Sequence, residues 1–240
     1  MMVQFNEKPY RITEIIAETP DVTLFRLMSE DKALMDFDPG MFIMLACIDQ
    51  TTNERIARAY SIASAPNQDF IELYIHMIHG KFTSHLDAAK IGDIYYVSGP
   101  HGQFRFSAAT DKKVLFLVGG TGLAPCMSML RDIKSKNSGT DVVLLYSVRY
   151  PNEVIRKNEL AELEGLLALK AIVTVTRPQP DDGWTGQTGH VDAEMIKRYS
   201  PDFMERKAYL CGPLPFVKAI KEALISLGMK EESVKVDVWG

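Results

Sequence analysis

The spacing of hydrophobic and polar residues divides the chain into two parts with different patterns. Between residues 11 and 111, short apolar runs partly alternate with polar residues and are separated by turn-forming residues. Alternation of this kind is typical of β-strands. It predicts strands at 11–18, 22–27, 41–46, 58–64, 70–77 and 94–97, one short helix at 83–89, and a turn at 99–102. We therefore expect an antiparallel sandwich or barrel.

From residue 113 onward, apolar runs alternate with segments of helical periodicity. The pattern predicts strands at 114–118, 142–148, 171–176, 207–213 and 234–239, and helices that end near 136 or span 158–167, 192–198 and 214–227. Strands and helices in alternation are typical of a parallel sheet with crossover helices. Because the polar stretch 110–112 separates the two patterns, we predict an antiparallel β-barrel domain at 1–111 and an α/β domain at 112–240.

Composition narrows the classes of protein to consider. The 240 residues are 46% hydrophobic and 24% charged, as in ordinary globular proteins. The net charge of −4 gives no basic surface for nucleic acid or an anionic membrane. The three cysteines lie far apart, so we expect no zinc site, iron–sulfur cluster or disulfide framework. Neither a signal peptide nor a membrane span is visible, and the reducing cytoplasm is the expected location.

A glycine-rich loop follows the most apolar predicted strand. Residues 114–118 run directly into Gly119-Gly120-Thr121-Gly122, and a helical pattern begins at once beyond them. Glycines allow a sharp turn and the close approach of a ligand, and a helix N-terminus directs its free N–H groups at an anion. This glycine loop, residues 119–125, is a candidate for binding the pyrophosphate of a dinucleotide. The alternative is a strand-to-helix turn without a ligand.

Three motifs then stand in order along the chain: Arg58-Ala59-Tyr60-Ser61, the glycine loop, and Cys211-Gly212-Pro213. Together with the change from a β to an α/β pattern, they resemble the ferredoxin–NADP reductase family of flavoproteins over essentially the whole chain. The resemblance implies an N-terminal barrel that holds FAD and a C-terminal domain that binds NADPH or NADH.

The resemblance assigns the first motif to FAD. It implies Arg58 on the pyrophosphate as a forked donor, Tyr60 against the isoalloxazine and ribityl groups, and Ser61 close to flavin N5, with Ala59 between them. On a strand, Arg58 and Tyr60 share one face and Ser61 lies on the other. Taken without the other motifs, Tyr60 is more simply a barrel aromatic and Arg58 a solvated charge.

Two further segments belong to the implied FAD site. The first matches the family's G-x-x-[S/T] segment and consists of Gly80, Lys81, Phe82 and Thr83. Its helix N–H groups and the Thr83 hydroxyl would face the same pyrophosphate. The alternative is that Thr83 or Ser84 simply caps the helix, and the two roles are compatible. The second is the preceding strand with Tyr74 and His76, although a lone strand histidine is more often structural.

The remaining motifs are assigned to the nicotinamide nucleotide. The implicated residues are Gly120, Thr121, Gly122, Pro125, Cys211, Gly212 and Pro213. Thr121 would reach toward the nicotinamide, and Cys211 would pack beside its C4 atom, at a strand end where ligands of open α/β sheets gather. The alternative for Cys211 is an inert buried thiol.

The chain closes with an acidic-x-aromatic sequence, Asp237-Val238-Trp239. In the family, the aromatic residue covers the flavin and must move before nicotinamide enters, while the acid lies in a proton path near N5. The chain departs from this pattern in having one extra residue, Gly240, and Asp in place of the Glu common in plant-type enzymes. The alternative is an edge strand with a packing Trp. The predicted catalytic residues are thus Ser61, Cys211, Asp237 and Trp239.

The choice between NADPH and NADH depends on a few positions near strand ends. Arg149 and Arg177 resemble arginines that bind the 2′-phosphate in short bacterial NADP-linked members, although Arg149 also fits the NADH-linked pattern. Gln187 stands where some NADP-linked members have a further arginine. Because two cations remain, we expect NADPH.

The implied activity is electron transfer from a nicotinamide nucleotide through FAD to a one-electron carrier. The clustered cysteines of a fused ferredoxin domain are missing, so the acceptor is expected to be a separate partner, with ferredoxin or flavodoxin as the first choice. The alternatives are the reductase component of an oxygenase, a reductase of free flavin or another diffusible acceptor, and an electron-transfer subunit of a larger complex. A flavin-binding module without enzymatic activity is the remaining class.

Overall fold

The computed structural model describes residues 7–49 and 51–239, which form two six-stranded sheets. The first six residues, which the predicted barrel domain includes, and Gly240, which follows the acidic-x-aromatic sequence, lie outside this description. None of the described helices is both long enough and apolar enough to cross a membrane.

The first sheet is antiparallel throughout and comes from the first part of the chain. Its strands are β1 (Lys8–Ala17), β2 (Val22–Ser29), β3 (Phe42–Ile48), β4 (Arg55–Ser61), β5 (Ile71–His76) and β6 (Ile94–His101). They lie in the order β4-β3-β6-β1-β2-β5. The two edges approach each other, since Ala63, just beyond β4, donates its N–H to the Glu72 carbonyl of β5 at 2.8 Å. The predicted antiparallel domain is therefore confirmed, and its sheet curves into a barrel.

Alternating apolar side chains fill the barrel. Ile43 and Leu45 of β3, and Leu73 and Ile75 of β5, are each at most 1% exposed. The helix α1 (Lys81–Asp87) packs on the same core through Phe82 and Leu86. Burying a large apolar side chain contributes about 1.5–3 kcal/mol, and a shift by one residue would turn the whole set outward. The apolar pattern thus fixes the register that positions the site.

Three local predictions for the barrel were wrong in their limits. β4 ends at Ser61 instead of continuing to 64, and α1 begins at Lys81 instead of 83. Residues 99–101 belong to β6 and not to a turn, because His101 pairs with Phe42 of β3. Glycine and proline suggested the turn, but cross-strand pairing carries the strand through them.

The second sheet is parallel throughout, as predicted. Its strands are β7 (Lys113–Gly119), β8 (Asp141–Val148), β9 (Leu169–Val175), β10 (Gln187–Thr188), β11 (Lys207–Pro213) and β12 (Val234–Trp239), in the order β10-β9-β8-β7-β11-β12. The helices are α2 (Leu123–Lys136), α3 (Lys157–Leu166), α4 (Ala193–Tyr199) and α5 (Leu214–Ser226). β10 was missed because two residues are too short to show a period.

The carboxyl ends of these parallel strands share one edge of the sheet. The central strand β7 is fully buried from Val114 to Val118 and delivers the glycine loop to this edge. Arg149 follows β8 and Arg177 follows β9 closely, while Trp239 ends β12. The topology therefore brings the predicted nucleotide residues to one side of the domain.

A buried group of charged side chains, which we call the interdomain clamp, joins the two domains. At its centre the fully buried Glu72 of β5 accepts hydrogen bonds from Arg26 at 2.8 Å, Arg131 at 2.7 Å and Arg156 at 2.8 Å. Glu159 of α3 pairs with Arg131 at 2.7 Å. Burial acts to raise the pKa of Glu72, but the guanidinium groups of Arg131 and Arg156 outweigh it and hold that pKa below its ordinary value. The clamp thus holds the barrel against α2 and α3.

One residue of the polar stretch at the predicted boundary, Asp111, is buried, whereas Thr110 and Lys112 are exposed. Asp111 is 6% exposed, accepts a hydrogen bond from the Tyr209 hydroxyl at 2.6 Å and pairs with Lys207 at 2.9 Å. The change from one sheet to the other occurs between His101 and Lys113. The division between residues 111 and 112 itself stays a prediction.

Candidate functional site

Two cavities lie side by side where the barrel meets the carboxyl edge of the parallel sheet. The barrel-side cavity has a volume of about 560 Å³ and the sheet-side cavity about 660 Å³. His76, Thr121 and Trp239 line both, so the cavities adjoin at these residues. The barrel residues that were predicted to bind FAD all line the barrel-side cavity: Arg58, Ala59, Tyr60, Ser61, Tyr74, His76, Gly80, Lys81, Phe82 and Thr83.

Arg58 and Tyr60 give the barrel-side cavity a cation and an aromatic wall. The Arg58 guanidinium donates to the neighbouring Ala57 carbonyl at 2.7 Å and makes no ion pair within residues 7–49 and 51–239. Tyr60 packs on Phe82 with 5.9 Å between ring centroids, and burial raises the pKa of Tyr60 to about 12. At neutral pH the cavity thus offers a guanidinium to an anion and an uncharged ring to an apolar surface. Ser61, predicted on the opposite strand face, also lines this cavity because β4 ends there.

At the start of α1 the Thr83 hydroxyl forms hydrogen bonds with the backbone of the same helix terminus. Gly80 is the N-cap, and the Thr83 side chain accepts from the Gly80 N–H at 2.9 Å and donates to the Gly80 carbonyl at 3.3 Å. The helix is therefore capped by reciprocal contacts between these two residues, and the suggestion that Thr83 or Ser84 is the N-cap was wrong. Lys81 pairs with Glu54 at 2.6 Å. Contact of this segment with a pyrophosphate stays a prediction.

Tyr74 and His76 lie two residues apart on β5 but have different surroundings. Tyr74 is 4% exposed and packs in a core that also contains Ala124 and Met127 of α2. His76 is exposed, and its Nε2 lies 3.1 Å from the Asp21 carboxylate. Because His76 lines both cavities, this pair marks the passage between them on the barrel side.

The glycine loop forms part of the sheet-side wall through Gly119, Gly120 and Thr121. Gly120 has a φ of +54°, a left-handed conformation that favours glycine. Gly122 is confined by its neighbours, since a Cβ there would stand 2.2 Å from the Cys211 carbonyl oxygen and 2.8 Å from the Trp239 ring. The loop therefore needs glycine at 120 for its backbone conformation and at 122 for close packing.

Several residues that were predicted to bind the nicotinamide nucleotide lie behind the wall of the sheet-side cavity. These buried residues are Gly122, Pro125, Cys211 and Gly212. Pro125 occupies the first turn of α2, where its missing N–H removes no helical hydrogen bond. Pro213, in contrast, lines the sheet-side cavity. Direct contact of these buried residues with a nucleotide stays a prediction, whereas their burial behind the cavity wall is observed.

Asp237 joins three of the predicted catalytic residues in one cluster. Its Oδ2 lies 3.5 Å from Ser61 Oγ and 3.7 Å from Cys211 Sγ, so β4, β11 and β12 each contribute one side chain. Burial raises the pKa of Asp237, and the contacts with Cys211 and Ser61 only partly oppose this. Burial, together with the Asp237 carboxylate, also raises the pKa of the fully buried Cys211 thiol. The cluster therefore holds its protons more firmly than the same groups would in water.

Trp239 stands at the junction of the two cavities. It ends the edge strand β12, where it pairs with Pro213 of β11, and its ring lies against Gly122. The ring is partly buried against a core to which both domains contribute, with Tyr74 of the barrel and Leu123 of α2 among its members. It is thus both a packing residue of an edge strand and a wall common to two cavities. Gly240, the residue beyond it, lies outside the described residues.

Arg149 is already engaged by two carboxylates. Its guanidinium lies 2.6 Å from Glu153 and 2.7 Å from Asp21, which belongs to the turn between β1 and β2. Hydrogen bonding to Glu153 and the charges of both acids raise the pKa of Arg149. Arg177 lines the same cavity, is exposed, and makes no ion pair in the described part of the chain. Gln187 lies in β10 and is not among the residues that line either cavity.

Sequence reasoning missed three charged or titratable residues that line the sheet-side cavity: Asp21, Glu153 and His190. Glu153 follows the end of β8 closely, so the rule that ligands gather at strand ends would have found it. Asp21 carried no such signal. It belongs to the barrel and reaches the cavity only because the two domains pack together.

Comparison with known proteins assigns a separate family model to the barrel part and to the parallel-sheet part of the chain. A model of an oxidoreductase FAD-binding domain matches residues 9–106, and a model of an oxidoreductase NAD-binding domain matches residues 116–222. The chain belongs to the ferredoxin–NADP reductase family. Its barrel is the FAD-binding domain of this family, and its parallel-sheet domain is the NAD-binding domain.

Similar proteins within the ferredoxin–NADP reductase family include reductases of oxygenase systems. The glycine betaine monooxygenase reductase subunit of Pseudomonas aeruginosa is 32% identical over 234 residues, which are 96% of this chain and 63% of the relative. The chain thus spans less than two thirds of the length of this relative. The ferredoxin reductase in carbazole 1,9a-dioxygenase is 26% identical with a TM-score of 0.84, over 100% of this chain and 71% of that one. The cytochrome b5 reductase domain of Ulva prolifera nitrate reductase is 27% identical with a TM-score of 0.81, over 97% of both chains.

The barrel-side cavity fits FAD on its own geometry. Arg58 supplies a guanidinium without an ion-pair partner among the described residues, which suits a diphosphate, and Tyr60 supplies an uncharged aromatic surface, which suits a flat ring. The cavity opens beside Trp239 toward the sheet-side cavity. A flavin bound there would face the second ligand across this residue.

Proposed function

We propose that this chain is an FAD-dependent oxidoreductase that accepts a hydride from NADH or NADPH and passes electrons to a separate redox partner. The observation that carries this proposal is the junction of the two cavities at His76, Thr121 and Trp239. Bound FAD would supply the conversion between two-electron and one-electron chemistry, and the protein would supply positioning and electrostatics.

The residues of the two cavities would divide the work of binding. Arg58 would bind the FAD pyrophosphate, and Tyr60 would pack against the flavin. Gly119, Gly120 and Thr121 would allow the backbone of the glycine loop to approach the nucleotide pyrophosphate. Because Trp239 stands between the cavities, its ring would have to move aside before the nicotinamide reaches the flavin.

The cluster of Asp237, Ser61 and Cys211 would hold and transfer the proton that accompanies electron transfer. Its raised pKa makes Asp237 a carboxyl group that keeps a proton to higher pH than an exposed aspartate. Ser61 Oγ, 3.5 Å from Asp237 Oδ2, lies at the barrel-side cavity and can pass that proton onward. Cys211, buried behind them, would restrict the space in which the nicotinamide lies.

The redox partner that we favour is the terminal component of an oxygenase. The support is that two of the similar proteins are a glycine betaine monooxygenase reductase subunit and the ferredoxin reductase of a carbazole dioxygenase. Ferredoxin or flavodoxin, the first choice from the sequence, is the second candidate. Action in the cytoplasm remains part of the proposal.

Binding of FAD is the first test. Replacing Arg58 by Ala should weaken FAD binding to the apoprotein roughly 30- to 150-fold, because a charged hydrogen-bonding group of this kind contributes about 2–3 kcal/mol. Flavin fluorescence titration measures this change. Arg11→Ala is the matched control, since Arg11 is an exposed barrel arginine paired with Glu30 and away from the cavities. Equal affinities of both variants would contradict the assigned role of Arg58.

Electron transfer is the second test. Mixing the FAD-loaded protein with NADH or NADPH without oxygen should bleach the flavin absorbance, and the bleached protein should then reduce an added carrier. Comparing an oxygenase component, a ferredoxin, a flavodoxin and ferricyanide ranks the acceptors. A flavin that neither nucleotide reduces would rule out the proposed activity.

A further inference from the structure

We propose that this chain selects NADH over NADPH, because two carboxylates already hold the arginine that a 2′-phosphate would need. The inference rests on the proposed function, since it concerns the electron donor of the same reaction. It reverses the expectation drawn from the two arginines of the sequence, and one of the two carboxylates, Asp21, comes from the barrel.

The order of the strands indicates where each end of the nucleotide lies. Trp239 ends β12 beside the barrel-side cavity, so the nicotinamide belongs at this end of the edge. Two strands away, β7 carries the glycine loop, and one strand further β8 leads to Arg149. With about 4.8 Å between neighbouring strands, the end of β8 lies roughly 14 Å from that of β12. A dinucleotide with its pyrophosphate at the loop therefore extends its adenosine ribose toward Arg149 and Arg177.

The Arg149 guanidinium is paired through two of its three nitrogens, Nε and Nη2, at this position. Its Nη2 lies 2.6 Å from Glu153 Oε1 and 2.7 Å from Asp21 Oδ2, and its Nε donates to Glu153 Oε2 at 3.2 Å. The Arg149 backbone N–H also donates to Glu153 at 3.0 Å. The pairing is thus a fork held from two sides and by the backbone, a geometry stronger than a single surface contact.

Neither carboxylate is a freely moving surface charge. The Glu153 side chain is only 14% exposed. Asp21 also accepts from the Thr19 hydroxyl at 3.2 Å and lies 3.1 Å from His76 Nε2. Both acids are therefore fixed parts of the cavity wall that would meet the ribose.

The consequences for the two nucleotides are opposite. A 2′-phosphate would enter against two fixed carboxylates, and like charges placed against each other penalise binding strongly. Of the arginines that line this cavity in the described part of the chain, only Arg177 makes no ion pair, and a single exposed cation is screened by water and salt. The 2′-hydroxyl of NADH, in contrast, is a donor that a carboxylate accepts well.

The first measurement compares the nucleotides on the FAD-loaded protein. We expect kcat/KM with ferricyanide as acceptor to be at least roughly tenfold higher for NADH than for NADPH. Calorimetry should show the same order for two probes that differ only in the 2′-phosphate, with 5′-AMP bound more tightly than adenosine 2′,5′-bisphosphate. A preference for NADPH, or for the bisphosphate, would overturn the inference.

The second measurement assigns the preference to the carboxylates. Asp21→Asn and Glu153→Gln should each raise the NADPH-to-NADH ratio of kcat/KM, and the double variant should raise it about tenfold. Glu162→Gln is the control, because Glu162 pairs with Lys134 on the exposed surface of α3, and it should leave the ratio unchanged. An unchanged ratio in the double variant would overturn the assignment even if the protein prefers NADH.

The two probes also separate this inference from the proposed function. A protein that binds 5′-AMP more tightly than the bisphosphate, but whose flavin is reduced by neither nucleotide, would retain the selectivity and lose the proposed activity. A protein whose flavin is reduced faster by NADPH would retain the activity and lose the selectivity. Each outcome therefore decides one of the two statements.

Discussion

The two cavities differ in how their walls are assembled. Nearly half of the residues that line the barrel-side cavity belong to two contiguous segments, 58–61 and 80–83, and the last strand adds a third, 237–239. The sheet-side wall comes from the loops after β7, β8, β9 and β11, and it is completed by Asp21 and His76 of the barrel. A site made of contiguous segments leaves motifs in the sequence, whereas a site assembled by packing leaves scattered single residues.

The cavities also differ in the state of their arginines. Arg58 makes no ion pair within the described ranges, whereas Arg149 is held by Glu153 and Asp21. An available guanidinium suits a diphosphate that stays bound. A guanidinium paired with carboxylates suits a site through which ligands exchange. Its carboxylates oppose a nucleotide that carries a further phosphate and admit one that does not. The carboxylates around an arginine therefore determine which ligand it can bind more than its position in the chain does.

The largest expected effect comes from breaking the interdomain clamp, which keeps the two cavities adjacent. Glu72→Gln would leave three arginines without their shared buried carboxylate, and removing one member of a buried ion pair costs about 3–5 kcal/mol of stability. Urea denaturation followed by fluorescence measures the loss. Flavin reduction by the nucleotide should also slow more than FAD binding weakens, because the clamp fixes the domains and not the barrel cavity.

The control for the clamp is Glu162→Gln, whose pair with Lys134 is exposed on both sides. Exposed pairs contribute about 0–1 kcal/mol. A loss in Glu72→Gln no larger than this would mean that the two domains are held mainly by their apolar contacts.

The clamp also shows which features of the fold cannot be predicted from local sequence patterns. Glu72 lies in the alternating run at 70–77, and alternation predicts it to be on the exposed face of a strand. The inward face of β5 does carry Ile71, Leu73 and Ile75 as predicted. The other face is buried as well, because the second domain covers it and Arg131, 59 residues further along the chain, reaches Glu72. Local periodicity contains no information on a surface that another domain covers.

The candidate catalytic residues were predictable for the opposite reason. Ser61, Cys211 and Asp237 each belong to a short motif with a distinct sequence, so each was found separately. Their meeting at 3.5 Å and 3.7 Å depends on β12 pairing with β11 at the right register, Cys211 opposite Asp237. The residue types were thus predictable from motifs, and the distances required the sheet.

The glycine loop gives the next largest effect, on the sheet-side cavity. In Gly122→Ala the new methyl group would overlap the Cys211 carbonyl oxygen at 2.2 Å, and a backbone atom cannot avoid it by rotation. We expect a loss of about 3 kcal/mol in the free energy of unfolding, together with weaker nucleotide binding and unchanged FAD affinity. Gly165→Ala in α3 is the control, since no atom lies near its Cβ position and alanine favours a helix. A Gly122→Ala protein as stable as Gly165→Ala would show that the loop is not confined.

The smallest expected effect concerns Asp237 at the junction of the cavities. Burial raises its pKa, so ionisation of Asp237 opposes folding. This penalty is absent at pH values where the carboxyl is protonated in both the folded and unfolded states, below about pH 4, and it develops as the pH rises through the raised folded pKa. Asp237→Asn removes the charge and keeps the shape. The variant should therefore be slightly more stable than the wild type at pH 8 and lose this advantage near pH 4.

Asp31 provides a control of opposite sign for this last prediction. Hydrogen bonds from Ser29, the Ala33 N–H and Lys8 hold the pKa of Asp31 below its ordinary value, so its charge stabilises the fold above about pH 4. Asp31→Asn should thus lose stability at pH 8 and recover it toward low pH, the reverse of Asp237→Asn. Thermal unfolding of both variants between about pH 2 and pH 8 makes the comparison, because the recovery of Asp31→Asn lies below the ordinary aspartate pKa of about 4. If Asp237→Asn also lost stability at pH 8, Ser61 and Cys211 would have to stabilise the carboxylate more than burial destabilises it, and Asp237 would be a fixed anion and not a proton donor.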